Sequence, residues 1–189
     1  MSIPDPKEHL VDGLGRLNEQ VLHKLEGLSE YDLRRPMTST GTNLLGVVKH
    51  LASVQAGYFG ETFGRPFPGE LPFDDDDPQL DLYATAEETS ESIKEFYRSS
   101  WQHALETFAD SDLDSVGQVP WWTDSEVSLH QILVHMTNET ARHAGHIDIV
   151  RELIDGSAGR SASDPNIVDG YDWPVYVAKL EALARQAAE

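Results

Sequence analysis

The sequence predicts an all-α protein, a four-helix bundle with a short additional C-terminal helix, and three observations support this fold class. Four segments of the 189-residue chain place apolar residues at spacings of three and four, the period of one helix face. The apolar–polar alternation typical of strands is absent over any useful length. Loops containing Gly, Pro or Asp separate the periodic segments. We therefore expect residues 1–189 to form a single helical domain.

The first two predicted helices cover residues 6–28 and 42–63. The apolar stripe of the first consists of Leu10, Leu14, Leu17, Val21, Leu25 and Leu28. The stripe of the second consists of Leu44, Val47, Val48, Leu51, Val54, Tyr58 and Phe59. The segment TSTGTN, residues 38–43, precedes the second helix, and its side chains either cap the helix N-terminus or donate hydrogen bonds to a polar ligand.

An acidic, proline-containing stretch from Gly64 to Asp81 interrupts the helical pattern. The run DDDD at 74–77 lacks the Gly and Glu spacing of an EF-hand, so we interpret it as a solvated loop. The third predicted helix begins at TAEE, where Thr85 and Glu88 form a capping-box pattern. Its apolar stripe consists of Ile93, Phe96, Tyr97, Trp101, Leu105 and Phe108.

The loop before the fourth helix includes VPWW, whose Trp121 and Trp122 either close one end of the bundle or form a wall over a bound metal. The fourth predicted helix begins with a second capping-box pattern, from Ser128 to Gln131, and extends to about Ile154. The weaker segment WPVYVAKLEALARQAAE is the additional C-terminal helix.

The composition excludes several classes of function. The chain has 33 acidic and 14 basic residues, a net charge of -19, and no cluster of Lys and Arg for nucleic acid or anionic lipid. The start lacks a secretory signal pattern, and no run approaches the ~18 apolar residues of a membrane span, so we expect a soluble cytoplasmic protein. Since the chain has no cysteine, a metal must be bound by His and carboxylate groups, and a reactive thiol must come from outside.

The segment HMTNETARHAGHIDI, residues 135–149, places a polar cluster on the fourth helix. On a helical wheel His135, Glu139, His143 and His146 fall within about 80°, on the side that also carries the apolar residues. A carboxylate among core side chains needs a proton, an ion pair or a metal. Arg142, three residues after Glu139, offers the ion pair, whereas a metal site needs a third ligand from another helix.

His50, in the middle of the second helix, is the candidate for that third ligand. It lies at the edge of the apolar stripe, where a histidine is either half-buried and hydrogen-bonded or a metal ligand. With Glu139 and His143 it would supply two imidazoles and one carboxylate, which leaves coordination positions open as in catalytic sites. This donor set suits zinc, nickel or ferrous iron, and we expect zinc.

Two segments, GTNLLGVVKHLASVQAGYFGE and LVHMTNETARHAGHIDIVRELIDG, together with the helix order, resemble the DinB-like metalloprotein superfamily. The resemblance is greatest to the branch with mycothiol-dependent maleylpyruvate isomerase and related thiol-dependent transferases. It implies a DinB-like four-helix bundle with a divalent metal bound by His50, Glu139 and His143. Many relatives have His at the position of Glu139 and Gln at the position of His146. We expect His146, His135 and Arg142 to lie around the metal without binding it.

The resemblance further implies mycothiol as a thiol co-substrate, which a bound metal would activate toward an electrophile. We expect a metal-dependent S-transferase or isomerase whose partners are a small-molecule thiol and an electrophile. A homodimer is a further expectation. No arginine can be assigned as the partner of a maleylpyruvate-like carboxylate. We therefore do not expect maleylpyruvate to be the substrate, although the resemblance includes its isomerase. Two alternatives stay open: a non-catalytic metal-binding or structural stress-associated protein, and a metal-dependent hydrolase.

Overall fold

A computed structural model describes residues 5–161, 163–165 and 167–188, and this part of the chain forms the predicted all-α bundle. The helices are α1 Pro6–His23, α2 Glu30–Arg34, α3 Leu44–Phe59, α4 Ser90–Asp110, α5 Leu129–Asp155 and α6 Trp173–Gln186. The four long helices of the bundle are α1, α3, α4 and α5, in which α3 packs on α4 and α5, and α1 packs on α5. None of the described helices has the length and apolar character needed to cross a membrane.

The first helix ends at His23, five residues before the predicted end. Arg151 of α5 donates hydrogen bonds to the carbonyls of Lys24 (2.7 Å) and Glu26 (2.8 Å), so these groups are satisfied without further helix. Gly27 then adopts a positive φ of 75°, which turns the chain toward α2. Leu25 is nevertheless buried in the core, because the turn keeps the apolar stripe against the bundle.

The second predicted helix, 42–63, begins and ends inside those bounds as α3. Asn43 caps it by accepting a hydrogen bond from the Gly46 N–H at 2.7 Å, which confirms the capping interpretation of the TSTGTN segment for this residue. After Phe59 the chain forms a short 3₁₀ turn, Glu61–Phe63, followed by Gly64 with a φ of 72°. A second 3₁₀ turn, Leu80–Leu82, packs on the first half of α3.

The predicted start of the third helix at Thr85 is wrong, because α4 begins at Ser90 with a capping box formed by Thr89 and Ser92. The Glu88 carboxylate does accept a hydrogen bond from the Thr85 N–H at 2.7 Å. It also accepts one from the Lys49 ammonium at 2.9 Å, and Lys49 is only 2% exposed. Glu88 therefore serves as the partner of a buried lysine. Of the capping box predicted for α5, the Ser128 cap is confirmed, since its hydroxyl accepts from the Gln131 N–H.

The hydrophobic pattern does not indicate the one short sheet in the described residues. Strands β1 Val116–Gln118 and β2 Glu126–Ser128 pair antiparallel, with Gly117 opposite Val127. Three residues are too few to show an alternating pattern, which is why the ribbon was not predicted. The loop between the two strands contains the VPWW segment, and both of its tryptophans donate hydrogen bonds to Tyr58 near the end of α3.

The core combines apolar packing with a small buried polar network. Tyr97 of α4 donates to the Asn18 side chain of α1. Asn18 donates to Gln55 of α3 at 3.0 Å, and Gln55 donates to Ser100 of α4 at 2.8 Å. Burial raises the pKa of the Tyr97 hydroxyl, so it stays protonated as a donor. In contrast to this core, helix α6 has no buried residue.

Candidate metal centre

Three of the predicted site residues meet at the contact between α3 and α5. His50 lies in the middle of α3, and Glu139 and His143 lie one turn apart on α5. Each offers a ligand atom within 4.8 Å of the other two. The Glu139 Oε1 atom lies 3.4 Å from His50 Nε2 and 3.0 Å from His143 Nε2. The side chains are 15–28% exposed, so the cluster is half-buried and open on one side.

The donor set fits a divalent cation. Nitrogen and oxygen ligands 2.0–2.2 Å from a tetrahedral ion lie about 3.3–3.5 Å apart, close to the two spacings around Glu139. His143 Nδ1 is buried and has no hydrogen-bond partner among the described residues, so Glu139 is the contact that holds this ring. Two imidazoles facing one carboxylate oxygen are an arrangement that a cation completes.

Asp81 orients His50 and was missed by the sequence analysis. Its Oδ2 atom lies 2.7 Å from His50 Nδ1, and the residue is only 7% exposed. Because an ionised carboxylate only accepts hydrogen bonds, the proton of the neutral imidazole is held on Nδ1 and the Nε2 lone pair faces Glu139. The sole sequence signal was the position of Asp81 between Leu80 and Leu82, after a run of solvated aspartates.

The electrostatics of the cluster favour an ionised glutamate and a neutral histidine. Burial opposes ionisation of Glu139, but the adjacent imidazoles, that of His143 above all, outweigh it and lower the pKa of this carboxyl below its ordinary value. Burial, followed by the neighbouring His50, lowers the pKa of His143, and Glu139 offsets only part of this effect. Both groups therefore hold the protonation state of a metal ligand at neutral pH.

The remaining predicted residues lie at different distances from this cluster. His146 is exposed, and its ring centroid lies 5.2 Å from that of His143. Arg142 is exposed and forms no ion pair among the described residues, so Glu139 is paired with histidines and not with Arg142. His135 packs on the rings of Tyr58 and Trp122, with centroid distances of 4.7 and 5.1 Å.

Two cavities lie on α3 on either side of His50. The polar cavity has a volume of about 450 Å³. Its lining consists of Thr40, Gly41, Thr42, Asn43, Val47, Gln79, Leu82, Tyr83, His143 and His146. The apolar cavity has a volume of about 430 Å³. Its lining consists of Ser53, Val54, Gly57, Tyr58, Glu61, Leu71, Phe73 and Trp121. Of the two tryptophans in VPWW, Trp121 thus forms a cavity wall and Trp122 packs at the end of the bundle core.

The helix order and the cluster between α3 and α5 define a DinB-like bundle. The family model described as mycothiol-S-transferase matches residues 9–156, and the chain belongs to this family. The match includes His50, Glu139 and His143 and ends before α6.

Comparison with solved structures supports the fold. The crystal structure of a conserved protein from Enterococcus faecalis is similar at a TM-score of 0.59, over 82% of this chain and 99% of that chain. The two sequences are 15% identical, so this likeness shows the fold alone. None of the curated protein sequences matches the chain.

Proposed function

We propose that the protein is a metal-dependent S-transferase that joins mycothiol, or a thiol of the same class, to an electrophile. The observation that carries the proposal is the convergence of His50, Glu139 and His143 in a chain that belongs to the mycothiol S-transferase family. These three residues are the proposed ligands, and zinc is the proposed metal. When bound, the metal supplies the positive charge that lowers the pKa of a thiol to the neutral range.

Other residues of the chain orient the proposed ligands, limit water at the cluster and bind the thiol. Asp81 fixes the orientation of His50, and the half-buried position of Glu139 and His143 limits water at the cluster. The polar cavity is lined by Thr40, Thr42 and His143, so the two threonine side chains can bind the polar part of the thiol. Since the chain has no cysteine, the attacking sulfur comes from the bound thiol.

Three further features belong to this proposal. A cytoplasmic location is proposed because that compartment keeps thiols reduced. Residues 1–189 are proposed to act as one domain, with α6 as an addition to the bundle. A homodimer remains a prediction.

The first test is the metal content of protein purified without chelator and without a metal affinity column, measured by inductively coupled plasma mass spectrometry. We expect near-stoichiometric metal in the parent and its loss in His50→Ala and Glu139→Ala. His130→Ala is the matched control, because His130 is exposed in the first turn of α5, about two and a half turns before Glu139. A metal-free parent that binds neither added zinc nor nickel would overturn the proposal.

Turnover of a model electrophile with and without mycothiol then separates the functional classes. Turnover that requires the thiol supports the S-transferase. Hydrolysis without the thiol would identify the hydrolase that uses the same ligands with water as nucleophile. A metal-loaded protein without either activity would identify a non-catalytic metal-binding protein.

A further inference from the structure

The apolar cavity lies on the same face of α3 as His50. Val54 and Gly57 follow His50 by four and seven residues, which places them about 6 and 10 Å along the helix and within about 40° of His50 around it. In the other direction, Val47 and Asn43 line the polar cavity, which His143 also lines. Along α3, His50 therefore lies between the residues that line the polar cavity and those that line the apolar cavity.

The walls of the apolar cavity are built from aromatic rings held in place by hydrogen bonds. The Tyr58 hydroxyl accepts from the indole N–H of Trp121 at 3.2 Å and of Trp122 at 3.1 Å. A Cβ atom at Gly57 would lie 3.1 Å from the Trp121 ring, so the glycine lets the indole close onto α3. Trp121 and Phe73 are 50% and 57% exposed although both line the cavity. Large exposed rings around a concave site are typical of a ligand-binding surface.

The charged side chains in the lining of the apolar cavity favour neutral over anionic ligands. Its lining contains no Lys or Arg, and its one ionisable carboxylate is that of Glu61. A carboxylate at the rim of an apolar cavity repels anions, and the chain carries a net charge of -19. A volume of about 430 Å³ accommodates a ligand of one to three fused or linked rings.

We propose that the apolar cavity binds the electrophile of the transfer reaction, and that this electrophile is a neutral aromatic compound carrying a leaving group. The assignment rests on the proposed S-transferase function. In the reaction the thiolate sulfur forms a bond to the electrophilic carbon, the bond from that carbon to a halide breaks, and the halide leaves with the bonding electrons. The thiol proton passes to solvent, so no oxidant or reductant is needed.

The first experiment measures binding without turnover. Metal-free protein is titrated with the neutral fluorescent probe N-phenyl-1-naphthylamine and with 1-anilinonaphthalene-8-sulfonate, which has the same rings and one negative charge. We expect the neutral probe to bind about tenfold more tightly. Glu61→Gln should bring the affinities for the neutral and the anionic probe closer together. Trp121→Ala should weaken binding of the neutral probe about tenfold. Trp173→Ala, which removes a tryptophan of similar exposure on α6, should leave binding unchanged.

The second experiment compares two electrophiles in metal-loaded protein with mycothiol. Trp121→Ala should lower kcat/KM for 1-chloro-2,4-dinitrobenzene about tenfold and leave kcat/KM for the small polar iodoacetamide within about twofold. Equal probe binding by the parent and Trp121→Ala, or equal losses with both electrophiles, would overturn the cavity assignment. Probe binding that depends on Trp121, without any thiol-dependent turnover in the parent, would instead overturn the S-transferase function.

Discussion

Asp81 is the residue that joins the acidic loop to His50 of the proposed metal centre. Its replacement by Asn removes the charged acceptor that orients His50, while an amide oxygen remains to receive the Nδ1 proton. We expect Asp81→Asn to weaken zinc binding about 10- to 100-fold, the effect typical of partners of metal-bound histidines. Competition with a chromophoric chelator measures this affinity.

Asp75→Asn is the control for that measurement. Asp75 is exposed, lies in the same acidic stretch and carries the same charge, so its replacement should leave zinc affinity unchanged. Equal losses in the two variants would mean that the loop acts through its total charge and not through the hydrogen bond to His50.

The pair Lys49–Glu88 makes stability depend on pH. Burial opposes ionisation of Glu88, but hydrogen bonds from Thr85 and Lys49 outweigh it and lower its pKa below 4.5. A carboxylate whose pKa is lower in the folded state contributes stability above its unfolded pKa and loses it as the pH falls through the folded pKa. Glu88→Gln should therefore lower the free energy of unfolding by about 1–3 kcal/mol at pH 7, with a smaller difference below pH 4.5.

Urea denaturation at pH 7 and at pH 3.5 tests this prediction. Glu91→Gln is the control, because Glu91 is exposed in the first turn of the helix that follows Glu88 and pairs with Lys94 and Arg98 of its own helix. A difference between the parent and Glu88→Gln that stays constant over this pH range would show that the charge of Glu88 does not stabilise the fold.

At the scale of the elements, Gly46 determines how closely the 3₁₀ turn Leu80–Leu82 approaches α3. A Cβ atom at position 46 would lie 1.8 Å from the Leu82 carbonyl oxygen, a backbone atom that cannot rotate away. We expect Gly46→Ala to displace the turn, to lower the free energy of unfolding by about 1–3 kcal/mol, and to weaken zinc binding because the turn carries Asp81.

Gly145→Ala provides the comparison in the same helix as Glu139 and His143. A Cβ atom at position 145 meets no atom within 4 Å, and the residue is exposed in the interior of α5. This substitution should raise the free energy of unfolding by up to about 1 kcal/mol and leave zinc binding intact. Unchanged zinc affinity in Gly46→Ala would show that Asp81 does not depend on that contact.

The sequence predicted those helices and helix ends that depend on residues close together in the chain. The 3.6-residue period identified the four long helices, and the cap at Ser128 placed the start of α5, whereas α3 begins two residues after the predicted position 42. Glu88 misled the prediction because a lysine 39 residues away takes its carboxylate, which local spacing does not reveal. Asp81 was missed for the same reason, since its partner lies 31 residues earlier on another element.

At the scale of the whole molecule, the bundle and α6 contribute differently to stability. Every residue of α6 is exposed, and the family match ends at residue 156. Deletion of residues 171–189 should therefore change the melting temperature by less than about 2 °C and leave the metal content unchanged, as measured by circular dichroism at 222 nm and mass spectrometry. A larger fall in melting temperature would show that α6 stabilises the bundle.

The buried network of Asn18, Gln55, Tyr97 and Ser100 also limits how the helices can slide along one another. Two packed helices whose contacts are all Leu and Val can slide by one turn, about 5.4 Å, and still fit their side chains between those of the partner helix. Such a shift of α3 would leave the Gln55 amide and its partners unpaired in the core, which is unfavourable. Gln55 lies five residues after His50 on α3, so the same restriction holds His50 in register with α1 and α4, and α5, which carries Glu139, packs on α1 and α3. The network therefore fixes the position of α3 along its neighbours. The position of His50 thus depends on the side-chain amides of Asn18 and Gln55, which lie outside the candidate metal centre.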